Sequence, residues 1–251
     1  MSVYAQVDWN DAKNQYHYGI HEGNILLPSE QGQYPVLFLF HGMGASHEWQ
    51  NNGIVENLNQ WMDGTNIKPM VVVMPTLPTE AGGGYTSDSY FKYIGNPSIE
   101  SYPFRELIDF IYADERFKSY MLTGYEHIAV AGASMGGAAA LYAGVLYRKD
   151  LIHIGALSAS QQLHYQTSSG EDRGWIKESE KLLLNTSDSA DYFIGYGKHE
   201  PPDFAVYASN YCKYFKANGF ILDKMEITEG TSHYYDTFNP ELHAFLNKLF
   251  G

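Results

Sequence analysis

A single cysteine, Cys212, stands among 251 residues, so no internal disulfide can hold this chain together. It lies in a segment of helical spacing, "AVYASNYCKYFKANG", and reads as a packing residue. Positive charge is scarce. Sixteen Lys and Arg stand against 29 Asp and Glu, a formal net charge of -13. Such a surface argues against nucleic acid and anionic membrane as partners. No apolar run approaches the roughly 20 residues that a spanning helix needs. The N-terminus, "MSVYAQVDWN", has neither a basic start nor an apolar core of signal-peptide length, so a cytoplasmic location is expected. There is no internal repeat, no low-complexity linker, no P-loop and no dinucleotide-binding glycine pattern. No histidine or carboxylate spacing suits zinc. Neither cofactor nor metal is expected.

What is present is ordinary globular composition, 44% hydrophobic, in a length suited to one sizeable core. One domain over residues 1–251 is expected. Continuously apolar runs mark strands covered on both faces: "PVLFLF" (35–40), "MVVVM" (70–74), "HIAVAG" (127–132), "IHIGAL" (152–157), "YFIGYG" (192–197) and "LDKMEIT" (222–228). Helical patterns alternate with them over residues 53–63, 101–117, 135–148, 173–185, 203–219 and 239–250. This order predicts an α/β fold, a mostly parallel sheet with right-handed crossovers and helices on both faces. "SVYAQVDW" and "QYHYGIHEG" are expected as antiparallel edge strands. Two connections, 75–101 and 158–174, are too long for plain turns and leave from the carboxyl ends of strands, where sites form.

At residues 132–136 "GASMG" fits G-x-S-x-G between an apolar strand and an alanine-rich helix. Small neighbours at such a joint leave the Ser134 hydroxyl exposed above the sheet, at a helix N-terminus. A serine needs a base to take its proton, and the base needs a third group to orient it. The expected chain order is serine, acid, histidine. His233, in "EGTSHYYDTF" after the last strand, is the candidate base. His199 comes too early, His153 lies in a strand and His243 in a helix. Glu200, just beyond "YFIGYG", is the first choice for the acid. Asp203 is the second, since an N-cap role already explains it. Backbone N–H groups of Met43, in "FHGMGAS", and of Met135 are expected to form the oxyanion hole. His41 reads as a structural hydrogen-bonder. Tyr85, Tyr90, Tyr93, Tyr102 and Tyr165 are candidates to line an aryl or sugar pocket.

The blocks "YPVLFLFHGMGASHEWQNNG", "IKPMVVVMP", "HIAVAGASMGGAAALYAG", "HIGALSAS" and "GTSHYYDTFNPELHAFLNKLF", in this order, resemble the putative esterase family, the esterase D-like group of α/β-hydrolases. The likeness runs from about Gly23 to the C-terminus. It is nearest to bacterial feruloyl and acetyl xylan esterases and tributyrin esterases. It implies an α/β-hydrolase fold and a serine esterase with nucleophile Ser134, base His233 and oxyanion donors Met43 and Met135. The family often has aspartate where this chain has Glu200. Tyr234 and Tyr235 stand where many relatives carry a pair ending in tryptophan. The expected substrate is a small-molecule ester of short acyl or compact aryl type. Acyl transfer on the same scaffold and a non-catalytic binding module are the alternatives.

Overall fold

Valine, isoleucine, leucine and phenylalanine crowd the segments that become strands, and the sheet hides both faces of each. The computed structural model describes residues 3–4, 11–19, 21–44, 47–63, 67–78, 87–95, 100–151, 153–160, 165–166, 172–173, 190–217, 219–227 and 229–250. In chain order the elements are β1 (Gln15–Tyr18), β2 (His21–Leu26), β3 (Val36–Phe40), α1 (Glu48–Asn51), α2 (Ile54–Met62), β4 (Val71–Pro75), α3 (Ser87–Ile94), α4 (Pro103–Ala113), β5 (Ile128–Ala133) and α5 (Met135–Leu146). They continue with β6 (His153–Leu157), β7 (Tyr165–Gln166), β8 (Asp172–Arg173), β9 (Asp191–Gly197), α6 (Pro202–Ala217), β10 (Ile221–Ile227) and α7 (Tyr235–Phe250).

Eight strands form one sheet in the order β1-β2-β4-β3-β5-β6-β9-β10, and β7 pairs with β8 separately. From β4 to β10 neighbouring strands run parallel; β2 is antiparallel to β1 and to β4. "QYHYGIHEG", expected as one antiparallel edge strand, instead supplies the edge strand β1 and the start of β2, paired antiparallel to each other. Most of "SVYAQVDW" lies outside the described residues.

The twofold strand period sorts side chains onto two cores. Val36, Phe38 and Phe40 of β3 join Val130, Ile154 and Ile194 beneath α3, α4, α5 and α6. Leu37 and Leu39 join Leu157 and Phe193 beneath α2 and α7. Helix α5 is buried from Gly136 to Val145, so an apolar surface all round suits it. Cys212 is buried in α6, a packing residue. None of the described helices is long and apolar enough to cross a membrane.

Three expectations shift. The long connection 75–101 contains α3, whose Tyr90, Tyr93 and Ile94 are buried in the core. Tyr90 and Tyr93 therefore pack rather than line an open pocket. Tyr102 is half-buried against the same core, while Tyr85 and the side chain of Tyr165 lie outside the described residues. Helix α7 begins at Tyr235 rather than at Asn239, taking Pro240 into its interior. A proline there forfeits one helical hydrogen bond, and sequence reasoning naturally set it at a helix start. Of the expected helix 173–185, Arg173 belongs to β8 and the rest lies outside the described residues.

Candidate active site

Parallel register brings five strand ends to one edge. Phe40 of β3 pairs with Gly132 of β5, Ala133 with Leu157 of β6, Leu157 with Gly195 of β9, and Gly197 with Ile227 of β10. The loops leaving those ends carry His41 and Met43, Ser134, Ser158, Glu200 and His233.

Ser134 sits between β5 and α5 at φ 56°, ψ -117°, a region that non-glycine residues seldom enter. Backbone contacts hold it there. Its N–H donates to Leu157 O (2.9 Å), and its carbonyl accepts from Gly137, Ala138 and Ser160 N–H at 3.0, 3.2 and 3.0 Å. The turn tolerates no bulk: a Cβ on Gly132 would come within 2.4 Å of Gly136 O, and one on Gly136 within 2.4 Å of His41 O. The small residues around the serine thus let strand, helix and the β3 loop meet.

From Ser134 a chain of contacts runs back into the protein. His233 Nε2 lies 2.8 Å from Ser134 Oγ, and His233 Nδ1 lies 2.6 Å from Glu200 Oε1. Glu200 Oε2 accepts from Gly197 N–H and from the Ser158 hydroxyl, each at 2.6 Å. With Glu200 accepting at Nδ1, the neutral imidazole carries its proton there and leaves Nε2 free to accept from the serine. The Glu200 side chain is 1% exposed and that of His233 24%, so the carboxyl is screened from water while the imidazole is reachable from outside. The Phe204 ring stacks on His233 at 3.8 Å and Phe238 meets its edge at 5.0 Å, restricting the ring from both sides. Asp236 pins the His233 loop by accepting from Thr231 N–H (2.6 Å) and from the Thr231 and Ser232 hydroxyls (both 2.9 Å).

Asp203 takes no part in this chain. It is exposed at the second residue of α6, one place inside the helix rather than at its N-cap, where its charge favours the N-terminal dipole. His199 is exposed in the turn beyond β9, and His243 stacks on Trp61 at 4.9 Å. His153 is half-buried in β6, and burial pushes its imidazole down.

The β3 loop lies against the serine. A Cβ on Gly42 would meet Ser134 Cβ at 3.2 Å, so backbone approaches Ser134 closely. Met135 opens α5, where a first-turn N–H has no intrahelical acceptor. The Met43 side chain is 74% exposed, so it is the backbone of this residue that the loop holds close to the sheet edge. Gly42 O accepts from the Tyr90 hydroxyl and from His41 Nδ1–H, both at 2.6 Å, while His41 Nε2 accepts from Leu77 N–H at 2.9 Å. His41 is thus the structural hydrogen-bonder expected of it.

Burial pushes the His41 imidazole down to about 4, against the opposing pull of its bond to Gly42. Unfolded, it titrates near 6.5, so the unfolded chain binds the extra proton between those values. Stability from this group is therefore complete above about pH 6.5 and is lost as pH falls toward 4, by about 3 kcal/mol over the window. Urea unfolding at pH 7 and pH 4 should show that much more acid loss in the parent than in His41→Asn. Equal losses would show that His41 is not held neutral.

Phe204, Ser158 and Glu241, which bonds Ser158, were not anticipated from sequence. Only Glu241 left a signal, a carboxylate on the apolar stripe Phe238, Leu242, Phe245.

A model of the family described as "Putative esterase" matches residues 21–247. Esterase Rv1288 of Mycobacterium tuberculosis is 35% identical over 131 residues, covering 49% of this chain and 26% of its own length. The chain thus spans about a quarter of that relative. Among solved structures, the ferulic acid esterase AmCE1/Fae1A of the fungus Anaeromyces mucronatus superposes with TM-score 0.68 at 19% identity, over 94% of this chain and 89% of that one. The S-formylglutathione hydrolase FrmB of Staphylococcus aureus superposes with TM-score 0.63 at 14% identity, over 94% and 97%. These likenesses identify the sheet and its helices as an α/β-hydrolase fold.

Proposed function

This chain belongs to the putative esterase family, and from that premise we propose that it is a serine carboxylic ester hydrolase, acting as one α/β unit through an acyl-Ser134 intermediate. One observation carries the reading: the unbroken contact chain from Ser134 Oγ through His233 to Glu200, at 2.8 and 2.6 Å.

In this reading His233 Nε2 takes the Ser134 proton as Oγ attacks the ester carbonyl carbon. Glu200 steadies the imidazolium that forms, since both of its oxygens already accept hydrogen bonds. Met135 N–H and Met43 N–H receive the oxyanion, supported by the closeness of Gly42 to Ser134 and by the Tyr90 and His41 clamp on that loop. The collapsing intermediate expels the alcohol, which takes the proton from His233. Water then attacks the acyl carbon with His233 again as base, and Ser134 leaves with its proton restored. A fluorophosphonate probe should label the parent at Ser134 and leave Ser134→Ala unlabelled.

We further propose short acyl or compact aryl esters as substrates. Flat rings at the catalytic histidine, above all Phe204, favour a planar acyl or alcohol group, and ferulic acid esterases stand among the structural neighbours. A deep apolar groove would gain about 0.8 kcal/mol for each added methylene, a steady rise in kcat/KM. Across acetyl, butyryl, octanoyl and palmitoyl p-nitrophenyl esters below their micelle concentrations, kcat/KM should peak at acetyl or butyryl. A feruloyl ester should be turned over comparably. A maximum at octanoyl or beyond would point to a lipid substrate instead.

A further inference from the structure

Behind the triad acid lies a second carboxyl that the mechanism leaves unused. Glu241, on α7, is fully buried. Its Oε1 lies 2.8 Å from Ser158 Oγ, and the same Oγ lies 2.6 Å from Glu200 Oε2. A hydroxyl has one proton and cannot donate to two carboxylates. The shorter contact has the length of a bond to an ionised acceptor, which assigns the Ser158 proton to Glu200. The proton in the second contact must then come from Glu241. Glu200 cannot hold it instead: Oε1 faces His233 Nδ1 and Oε2 faces Gly197 N–H, so each oxygen already meets a donor. Glu241 Oε2, by contrast, has no hydrogen-bond partner among the described residues. An orphaned carbonyl oxygen of a neutral acid costs far less than an orphaned buried charge.

We propose that Glu241 is a neutral carboxylic acid that donates to Ser158, which donates to Glu200, so that the pair act as positioning residues for the triad acid. The inference rests on the reading of Glu200 as that acid. Burial and the neighbouring Glu200 charge both hold the Glu241 carboxyl well above the usual carboxylate range, while the Ser158 contact pulls the other way. Among the described residues Glu241 is faced by Ser158 from the end of β6, by Glu200 from beyond β9 and by Gly195 of β9. A Cβ at Gly195 would stand 3.2 Å from the Glu241 carboxyl carbon, so β9 leaves room for it. Ser158 itself is buried at φ 44°, a strained backbone that a plain strand end would not need. The relay fixes one rotamer of Glu200 without placing a second negative charge beside it.

The test compares Glu241→Gln, Glu241→Met and Ser158→Ala with the parent in kcat, KM and the pH profile of kcat/KM. Glutamine keeps a neutral donor; methionine keeps the volume but removes it. Ser158→Ala loses a hydrogen bond to a charged group and predicts a fall in kcat of about tenfold or more, while Glu241→Met loses the donor that holds the Ser158 hydroxyl toward Glu200 and predicts a smaller fall of about threefold or more, with KM little changed in both. Their acid limb should move to higher pH, because a less solvated Glu200 makes His233 a stronger base. Glu241→Gln should recover most of the lost turnover with an unmoved acid limb. Infrared difference spectra at neutral pH should contain a protonated-carboxyl C=O band that Glu241→Gln removes. A Glu241→Gln profile displaced to lower pH, or no such band, would show an ionised Glu241 and overturn the proposal. So would parent-like kcat in folded Glu241→Met. Glu200→Gln serves as the separate control: if it keeps parent turnover, the triad reading fails, whatever Glu241 does.

Discussion

Ser134→Ala is expected to lose about 10⁶-fold in turnover while the protein stays folded. The first half follows from chemistry. No other described hydroxyl touches His233 Nε2, and without Oγ there is no acyl-enzyme; only the oxyanion donors and substrate binding would remain to help water. The second half follows from how the turn is held. The bonds that fix residue 134 in its strained conformation are made by its backbone N–H and carbonyl, to Leu157, Gly137, Ala138 and Ser160, and alanine keeps them all. The cost is one part-buried hydrogen bond, about 1 kcal/mol. Burst titration with p-nitrophenyl acetate should show no acyl-enzyme, and thermal unfolding should stay close to the parent. If the folded variant kept more than a few per cent of parent kcat, the nucleophile would lie elsewhere.

The parts of this molecule that were legible in sequence are those that local chemistry dictates. "VLFLF", "VVVM" and "IAVAGA" have no polar face, so they suit only strands covered on both sides. The serine turn was legible because small residues on either side of Ser134 have few other uses, and His233 and Glu200 followed from chain order and from the ends of strands. Helix α3 was not legible. "SDSYFKYI" follows a glycine-rich stretch and is short; the burial of Tyr90, Tyr93 and Ile94 against the core is what makes it a helix. The network behind Glu200 was hidden for a different reason. Ser158 and Glu241 are 83 residues apart and meet only because β6 and β9 pair in one register while α7 crosses them. A serine at a strand end and a glutamate in a helix carry no mark of each other. The single irregularity, a glutamate within an apolar stripe, becomes informative only once the stripe is known to face the sheet.

Glu200→Gln is expected to reduce kcat by about 10⁴-fold with KM nearly unchanged, whereas Asp203→Asn should stay within about twofold of the parent. The size of the effect turns on which way the new amide must face. Glu200 Oε2 receives the Gly197 backbone N–H and the Ser158 hydroxyl. The backbone donor cannot turn away, so the amide oxygen is held on that side and the NH₂ is directed at His233 Nδ1. An imidazole that meets a donor at Nδ1 shifts its proton to Nε2, the nitrogen 2.8 Å from Ser134 Oγ. The base then points a hydrogen at the hydroxyl it should deprotonate. Geometry survives while the tautomer is wrong, so substrate still binds and the chemical step fails. Asp203 accepts nothing from His233 and sits exposed in the first turn of α6, where amidation weakens only a helix-end charge effect of about 0.3–1 kcal/mol. Steady-state kinetics on a short aryl ester, with unfolding curves to show that both variants are folded, decide the assignment. The opposite ranking would move the acid from Glu200 to Asp203 and would require a rearrangement of the loop after β9 that the present contacts do not contain.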